Sequence, residues 1–257
     1  MDSKIDIAVV HIICTSDHTF FAGDTMINNE DIQKLGKELK DILKMDTSPV
    51  AVRLVKSDEE IPEGIPHLDE KTRHCQMVDN VRRLGTQFYA LPEDHQCKGG
   101  AAVMGLMEMN PKLKSGEVYY NLNHFKTLDS AKATMEKVPM VPASSIKAVV
   151  YSPLEKATFK PDVILIITKP KQVMELSQAL LHKSGGRINS GFAGKQSVCA
   201  DGVAYPYLSG EAGVTIGCSG SRKYTEIQDE EMIMSVPVDM LADLVESAES
   251  MFGTYAC

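Results

Sequence analysis

The sequence predicts an α/β protein, a pattern that also admits a mixed α+β arrangement. It is read as two related lobes, each a small sheet flanked by helices. Three observations lead there. Apolar strand-like runs alternate with amphipathic helical runs over residues 48–109 and again over 146–216. The two stretches also share an order: an apolar run opened by proline, a helix, a stopping glycine, then a cysteine. The glycine-to-cysteine distance is 12 residues from Gly85 to Cys97 and 13 from Gly186 to Cys199. Finally, 257 residues at 43% hydrophobic and 24% charged suffice for one large core or two modest domains. The lobes are expected at residues 28–140 and 141–257, behind a poorly patterned extension at 1–27.

The extension contains the apolar run "IAVVHIIC" (7–14) and ends near Met26, which looks like the natural start, so little of the core is expected from it. "NEDIQKLGKELKDILK" then places Ile32, Leu35, Leu39 and Ile42 on one helical face, with Asn28 or Asn29 as cap. "SPVAVRLV" (48–55) reads as a strand, and the prolines of 57–71 fix a loop. A helix over Cys75–Leu84 and a strand "QFYAL" (87–91) follow, and "AAVMGLMEM" (101–109) reads as a buried helix. In the second half, "IKAVVYSPL" (146–154) and "PDVILIIT" (161–168) are rich in β-branched residues and are expected as neighbouring strands. Residues 171–186 form a helix with a glycine stop, and "GVTIGCSG" holds a strand. The chain closes on a helix whose inward face is Leu241, Leu244, Val245 and Ala248.

A net charge of −8 and a pI near 5.4 argue against a nucleic-acid surface, and the pairs Arg82–Arg83 and Arg222–Lys223 are too short to make one. The longest apolar runs fall short of the roughly 20 residues a membrane helix needs, and no signal-peptide cleavage site follows the first of them. Six cysteines are too sparse for a disulfide scaffold. A reducing, cytoplasmic setting is therefore expected, where cysteines serve as core filler, ligands or catalysts.

Cys75, Cys97, Cys199 and Cys218 stand apart from Cys14 and Cys257. Three of the four sit beside glycine at a junction between loop and regular structure, where backbone N–H groups face an anion. Four convergent thiolates would suit an iron–sulfur cluster or structural zinc. Against this, no CxxC is present, and spacings of 22, 102 and 19 residues match no compact metal motif. Separate core or reactive thiols therefore stay open. A thiol enzyme of acyl or sulfur transfer could use Asp94, His95 and Cys97. Asp201 follows Cys199 directly, and His74 beside Cys75 reads as a ligand or a capping group. Ser219, Gly220, Ser221 and Arg222 resemble a small anion nest with a charged fork, which suggests a third class, a small-anion or cofactor binder. No phosphate loop or dinucleotide fingerprint is present. The glycines of "SGGRINSGFAG" suggest a flexible crossing near the site, and Tyr205 and Tyr207 either line a pocket or pack.

The segments "PVAVRLVKSDEEIPEGIP", "RHCQMV", "FYALPEDHQCKGGAA", "SGEVYY", "QSVCADGVAYPYLSGE" and "GCSGSRKY" together resemble the DUF169 family, cysteine-rich proteins common in archaea and anaerobic bacteria. The resemblance covers about residues 30–250 and carries over Cys75, Cys97, Cys199 and Cys218 as the recurring cysteines, with the "GCSGSRK" loop. It implies no assigned reaction, but the anaerobic association favours a redox iron–sulfur cluster, of [4Fe–4S] type, over zinc. On that reading Arg222 compensates the negative charge of the cluster or its substrate. The expected partner is a redox protein or a small anionic metabolite.

Overall fold

The computed structural model describes residues 28–253, so the extension at 1–27, Cys14 and Cys257 lie outside the described residues. The strands are β1 (Val50–Lys56), β2 (Phe88–Ala90), β3 (Ile146–Pro153), β4 (Val163–Thr168), β5 (Asn189–Ser190), β6 (Gly213–Thr215) and β7 (Met232–Pro237). They form one seven-stranded sheet in the order β2-β3-β1-β4-β7-β6-β5. Every neighbouring pair is antiparallel except β5 and β6.

The α/β class is as the sequence predicts, but the expectation of one small sheet per half is corrected. Strand β1, from the first half, lies between β3 and β4, with Val52 opposite both Tyr151 and Val163. The short β3–β4 connection therefore spans a strand rather than joining neighbours. β1 fills the gap because Val50–Val52 is buried on both sides.

Ten α-helical segments accompany the sheet among the described residues: α1 (Asn29–Ile42), α2 (His74–Leu84), α3 (Lys98–Val103), α4 (Pro111–Lys114), α5 (Glu117–Asn121), α6 (Leu128–Met135), α7 (Pro170–Leu181), α8 (Tyr205–Ser209), α9 (Ser219–Tyr224) and α10 (Leu241–Ala248). Helix α1 starts where its sequence says it should. The Asn28 side chain accepts from Asp31 N at 3.0 Å, and Asp31 accepts from the Asn28 backbone, a capping box. The buried helix expected over 101–109 is shorter and earlier, because the chain turns at Gly105 with φ +82°.

Alternation along the strands sends side chains to two cores. Ala51, Val150, Ile164 and Val236 meet Ile32 and Leu39 of α1, Leu176 of α7 and Leu244 of α10. Val50, Val52, Tyr151, Leu165 and Ile233 meet Met77 and Val81 of α2 and Ala101 and Val103 of α3. A sheet covered on both faces explains why "VILIIT" is apolar without a break. The same partition shows that α2 and α7 lie on opposite faces of the sheet, so the two halves with matching glycine and cysteine spacing are not equivalent copies.

Candidate metal centre

The four singled-out cysteines meet on the α2–α3 face. Cys75 is the second residue of α2, Cys97 immediately precedes α3, and Cys218 immediately precedes α9. Cys199 immediately precedes a single π-helical turn, Ala200–Ala204. Chains enter these four helical segments from different loops, which is why the cysteines are scattered in sequence. All four line one cavity of about 240 Å³, walled further by Arg73, His74, Tyr119, Lys195, Gln196 and Tyr224. Cys199 is buried, Cys75 and Cys218 are half-buried, and Cys97 is exposed.

The thiols are close enough to influence one another electrostatically. Burial, then the charges of Cys218 and Cys97, pushes the Cys75 thiol up to about 12. Burial, then Cys97, Cys218 and Cys75, raises Cys199 well above the ordinary thiol value. Tyr119 is raised chiefly by burial, with a hydrogen-bonding influence of Gln196 opposing the rise and the charges of Cys199, Cys218 and Cys97 adding to it.

Consecutive glycines in the first turn of α3 make room for this. A Cβ on Gly100 would stand 3.5 Å from Cys199 Sγ and 3.7 Å from Cys97 Sγ. A Cβ on Gly99 would stand 3.1 Å from Gln196 Nε2 and only 2.7 Å from Leu113. "CKGGAA" is therefore a spacer that lets two sulfurs and a carboxamide crowd one helix start.

The loop at "GCSGSRK" is built locally. Gly217 takes φ +83°, and a Cβ there would stand 2.8 Å from Ser221 Oγ. Ser221 Oγ accepts from Cys218 N and donates to Cys218 O, both at 2.9 Å, so the serine expected in an anion nest caps its own helix. Arg222 does not line the cavity. Its guanidinium donates to the carbonyls of Ile216 (3.0 Å from Nε), Glu231 (2.6 Å) and Gln228. The expectation that Arg222 compensates charge in the site is thus corrected, since backbone carbonyls already take up its fork. Arg73 and Lys195 are the cations of the cavity wall, which includes no Asp or Glu. The sequence did not single out either, because neither follows a cysteine in a serine- and glycine-rich turn as Arg222 does. Arg73 stacks 3.8 Å over the Tyr224 ring, and Lys195 Nζ lies 5.6 Å and 5.7 Å from the Tyr119 and Phe125 rings.

A buried ion-pair network ties Cys75's helix to Cys218's loop. Arg82 donates to Asp79 at 2.8 Å and to both Glu231 oxygens at 2.9 and 3.0 Å, while Asp79 also accepts from Glu226 N at 3.0 Å.

No Asp94–His95–Cys97 arrangement forms. Asp94 faces His67 at 2.8 Å and Leu91 N at 2.7 Å, and His95 is fully buried with neither ring nitrogen partnered. Asp201 accepts from Thr215 and lines a different cavity with Tyr205, while Tyr207 lines a third. His74 does reach the thiol cavity, with Nδ1 2.8 Å from the Tyr151 hydroxyl and its Nε2 unpartnered. The glycine-rich crossing contributes Gly194 to the same wall.

The DUF169 family model, described as "Uncharacterised ArCR", matches residues 38–247. The chain belongs to the DUF169 family. A Methanocaldococcus jannaschii protein carrying the name "Uncharacterized protein" is 41% identical over 228 residues, covering 88% of this chain and 97% of that one. No solved structure matches the chain. The span matched by the DUF169 model takes in all four cavity cysteines along with Lys195 and Gln196.

The cavity chemistry bears on what it can hold. Among the described residues no group of three or more His, Cys, Asp or Glu side chains is set closely enough to hold a metal ion. Instead the sulfurs surround a space, with Gln196 Nε2 and His74 Nε2 left without hydrogen-bond partners in its wall. Thiols, unpaired N–H donors and two cations without a carboxylate suit a group that is anionic, accepts hydrogen bonds and is larger than one ion.

Proposed function

We propose that Cys75, Cys97, Cys199 and Cys218 hold an iron–sulfur cluster, of the four-iron type, and that the protein is an electron-transfer component of the DUF169 family. The observation that carries this reading is the arrival of all four sulfurs at one carboxylate-free cavity from four different loops. A cluster places each thiolate on its own iron about 2.3 Å away, so its sulfurs stand roughly 6–7 Å apart rather than packed around a single ion. That spacing fits a ring of thiols that encloses a space, and it disfavours zinc. When bound, such a group takes up and releases single electrons.

The chain's own residues do the rest. Arg73 and Lys195 offset negative charge, and the apolar α2–α3 core beneath the thiols keeps water out on that side. Cys218, Ser219 and Lys195 also line a wider neighbouring groove with Arg222, Asp229 and Glu230, whose mixed charges suit a redox partner protein better than a small anionic metabolite.

The experiment is a set of single serine substitutions in anaerobically prepared protein, read by bound iron. Replacing any of the four cavity cysteines lowers iron content, and replacing Cys14 or Cys257 does not. Iron content indifferent to Cys199→Ser or Cys218→Ser would remove the proposal.

A further inference from the structure

Gln196 is a buried polar residue of the cavity wall that the cluster reading leaves without a role. It is 7% exposed, lines the thiol cavity, and has neither carboxamide atom in a well-formed hydrogen bond, the Tyr119 hydroxyl being the one group it influences. Leaving such a group unsatisfied in a protein interior forfeits its hydration without return. Its backbone is also held at φ +53°, in the left-handed region that side chains other than glycine and asparagine rarely take. Gln196 O accepts from Ala200 N at 2.7 Å and from the Cys199 thiol at 3.0 Å, so the residue closes the turn that carries Cys199 just ahead of the π-helical segment. Gly99 then leaves space for Nε2, as the next residue, Gly100, does for the sulfurs of Cys97 and Cys199.

We infer that Gln196 donates a hydrogen bond from Nε2 to a sulfur of the bound cluster and thereby stabilises its reduced, more negative state. This rests on the cluster reading above. An iron–sulfur group offers hydrogen-bond acceptors to its surroundings, and N–H donors to its sulfurs raise its reduction potential. Among the lining side chains, Gln196 brings a neutral donor without a partner, so its contribution comes from the bond and not from charge. Gln196 is thus a positioning residue for the electron, and it holds no iron.

The test compares Gln196→Leu and Gln196→Glu with the parent protein, all prepared anaerobically, by iron content and by reduction potential from a redox titration followed by electron paramagnetic resonance. Leucine keeps the volume and removes the donor, so the potential falls at unchanged iron content. Glutamate removes the donor and adds negative charge, so it falls further. Gln196→Gly suits the left-handed backbone and gives the same comparison where a larger variant folds poorly. A potential unchanged at full iron content overturns the inference. So does loss of iron from all three variants in folded protein, because Gln196 would then be needed to hold the group at all. Parent protein without iron contradicts the cluster reading itself and is seen before any variant is compared.

Discussion

Cys97 and Cys199, far apart in the chain, face each other across Gly100, with both sulfurs within 3.7 Å of where a Cβ on that glycine would sit. That contact is ordinary van der Waals spacing, so the empty protein tolerates a methyl group there. Gly100→Ala also replaces a helical glycine, which favours the fold by up to about 1 kcal/mol. The methyl, however, occupies space between two proposed ligands. Gly100→Ala is therefore expected to melt no lower than the parent when metal-free, yet to bind less iron. A variant that loads iron as fully as the parent would separate Gly100 from the site.

Arg82 is 4% exposed and holds Asp79 and Glu231 together. Removing Arg82 leaves Glu231 without its guanidinium, while Asp79 keeps Arg83 at 3.1 Å, so the cost falls at the lower end of the range for a broken buried pair, about 3–5 kcal/mol. Arg82→Met should lower the free energy of unfolding by that order in urea titrations. It should also loosen the Cys218 loop, visible as faster amide exchange at residues 226–231. A loss below about 1 kcal/mol would mean the network is dispensable.

Asp162 offers a test by pH. Its Oδ2 accepts from Leu54 N at 2.7 Å, yet burial, the larger influence, raises its pKa above the ordinary carboxylate value. A raised folded-state pKa contributes stability below the unfolded value, and that contribution is lost as pH rises through the folded one. Asp162→Asn keeps an acceptor for Leu54 and removes the buried charge. It should melt higher than the parent at about pH 7, with the gain shrinking towards about pH 3, where the parent carboxyl is protonated. An equal gain at both values would contradict the assignment.

Thiol reactivity in the metal-free protein separates the electron-transfer reading from a thiol enzyme. Cys97 is exposed, whereas Cys199 is buried and its thiol is pushed well up by that burial. Iodoacetamide at neutral pH should modify Cys97 first and Cys199 last, as followed by mass spectrometry of peptides, and loading with iron should protect all four. A single hyper-reactive cysteine, unprotected by iron, would favour covalent catalysis.

Much of this was legible in the residues themselves. The capped amphipathic start of α1, the β-branched runs of β3 and β4 and the four cysteines all follow local rules of period, cap and composition. Strand β7 was not legible: "MIMSVP" follows an acidic run, and its methionines and serine dilute the β-branched signal, although it lies between β4 and β6. The insertion of β1 between β3 and β4 is a long-range pairing that no local pattern encodes. In the site, the thiols were found by their glycine neighbours. Arg222 was misassigned because sequence adjacency to Cys218 says nothing about direction, and its side chain turns back onto carbonyls. Gln196 and Lys195 gave a fainter signal, as polar residues just ahead of "SVC" in a glycine-rich loop. Their role becomes visible only when α3 and α5 bring Gly99 and Tyr119 against them.

The central claim is that four cysteines from four loops hold one iron–sulfur group. The most direct measurement is iron and acid-labile sulfide per chain in protein purified without oxygen, with absorbance near about 400 nm as its companion. About four irons and about four sulfides per chain are expected, falling on Cys75→Ser, Cys97→Ser, Cys199→Ser or Cys218→Ser. Protein with neither iron nor sulfide under those conditions, or with a single zinc ion in their place, would contradict it.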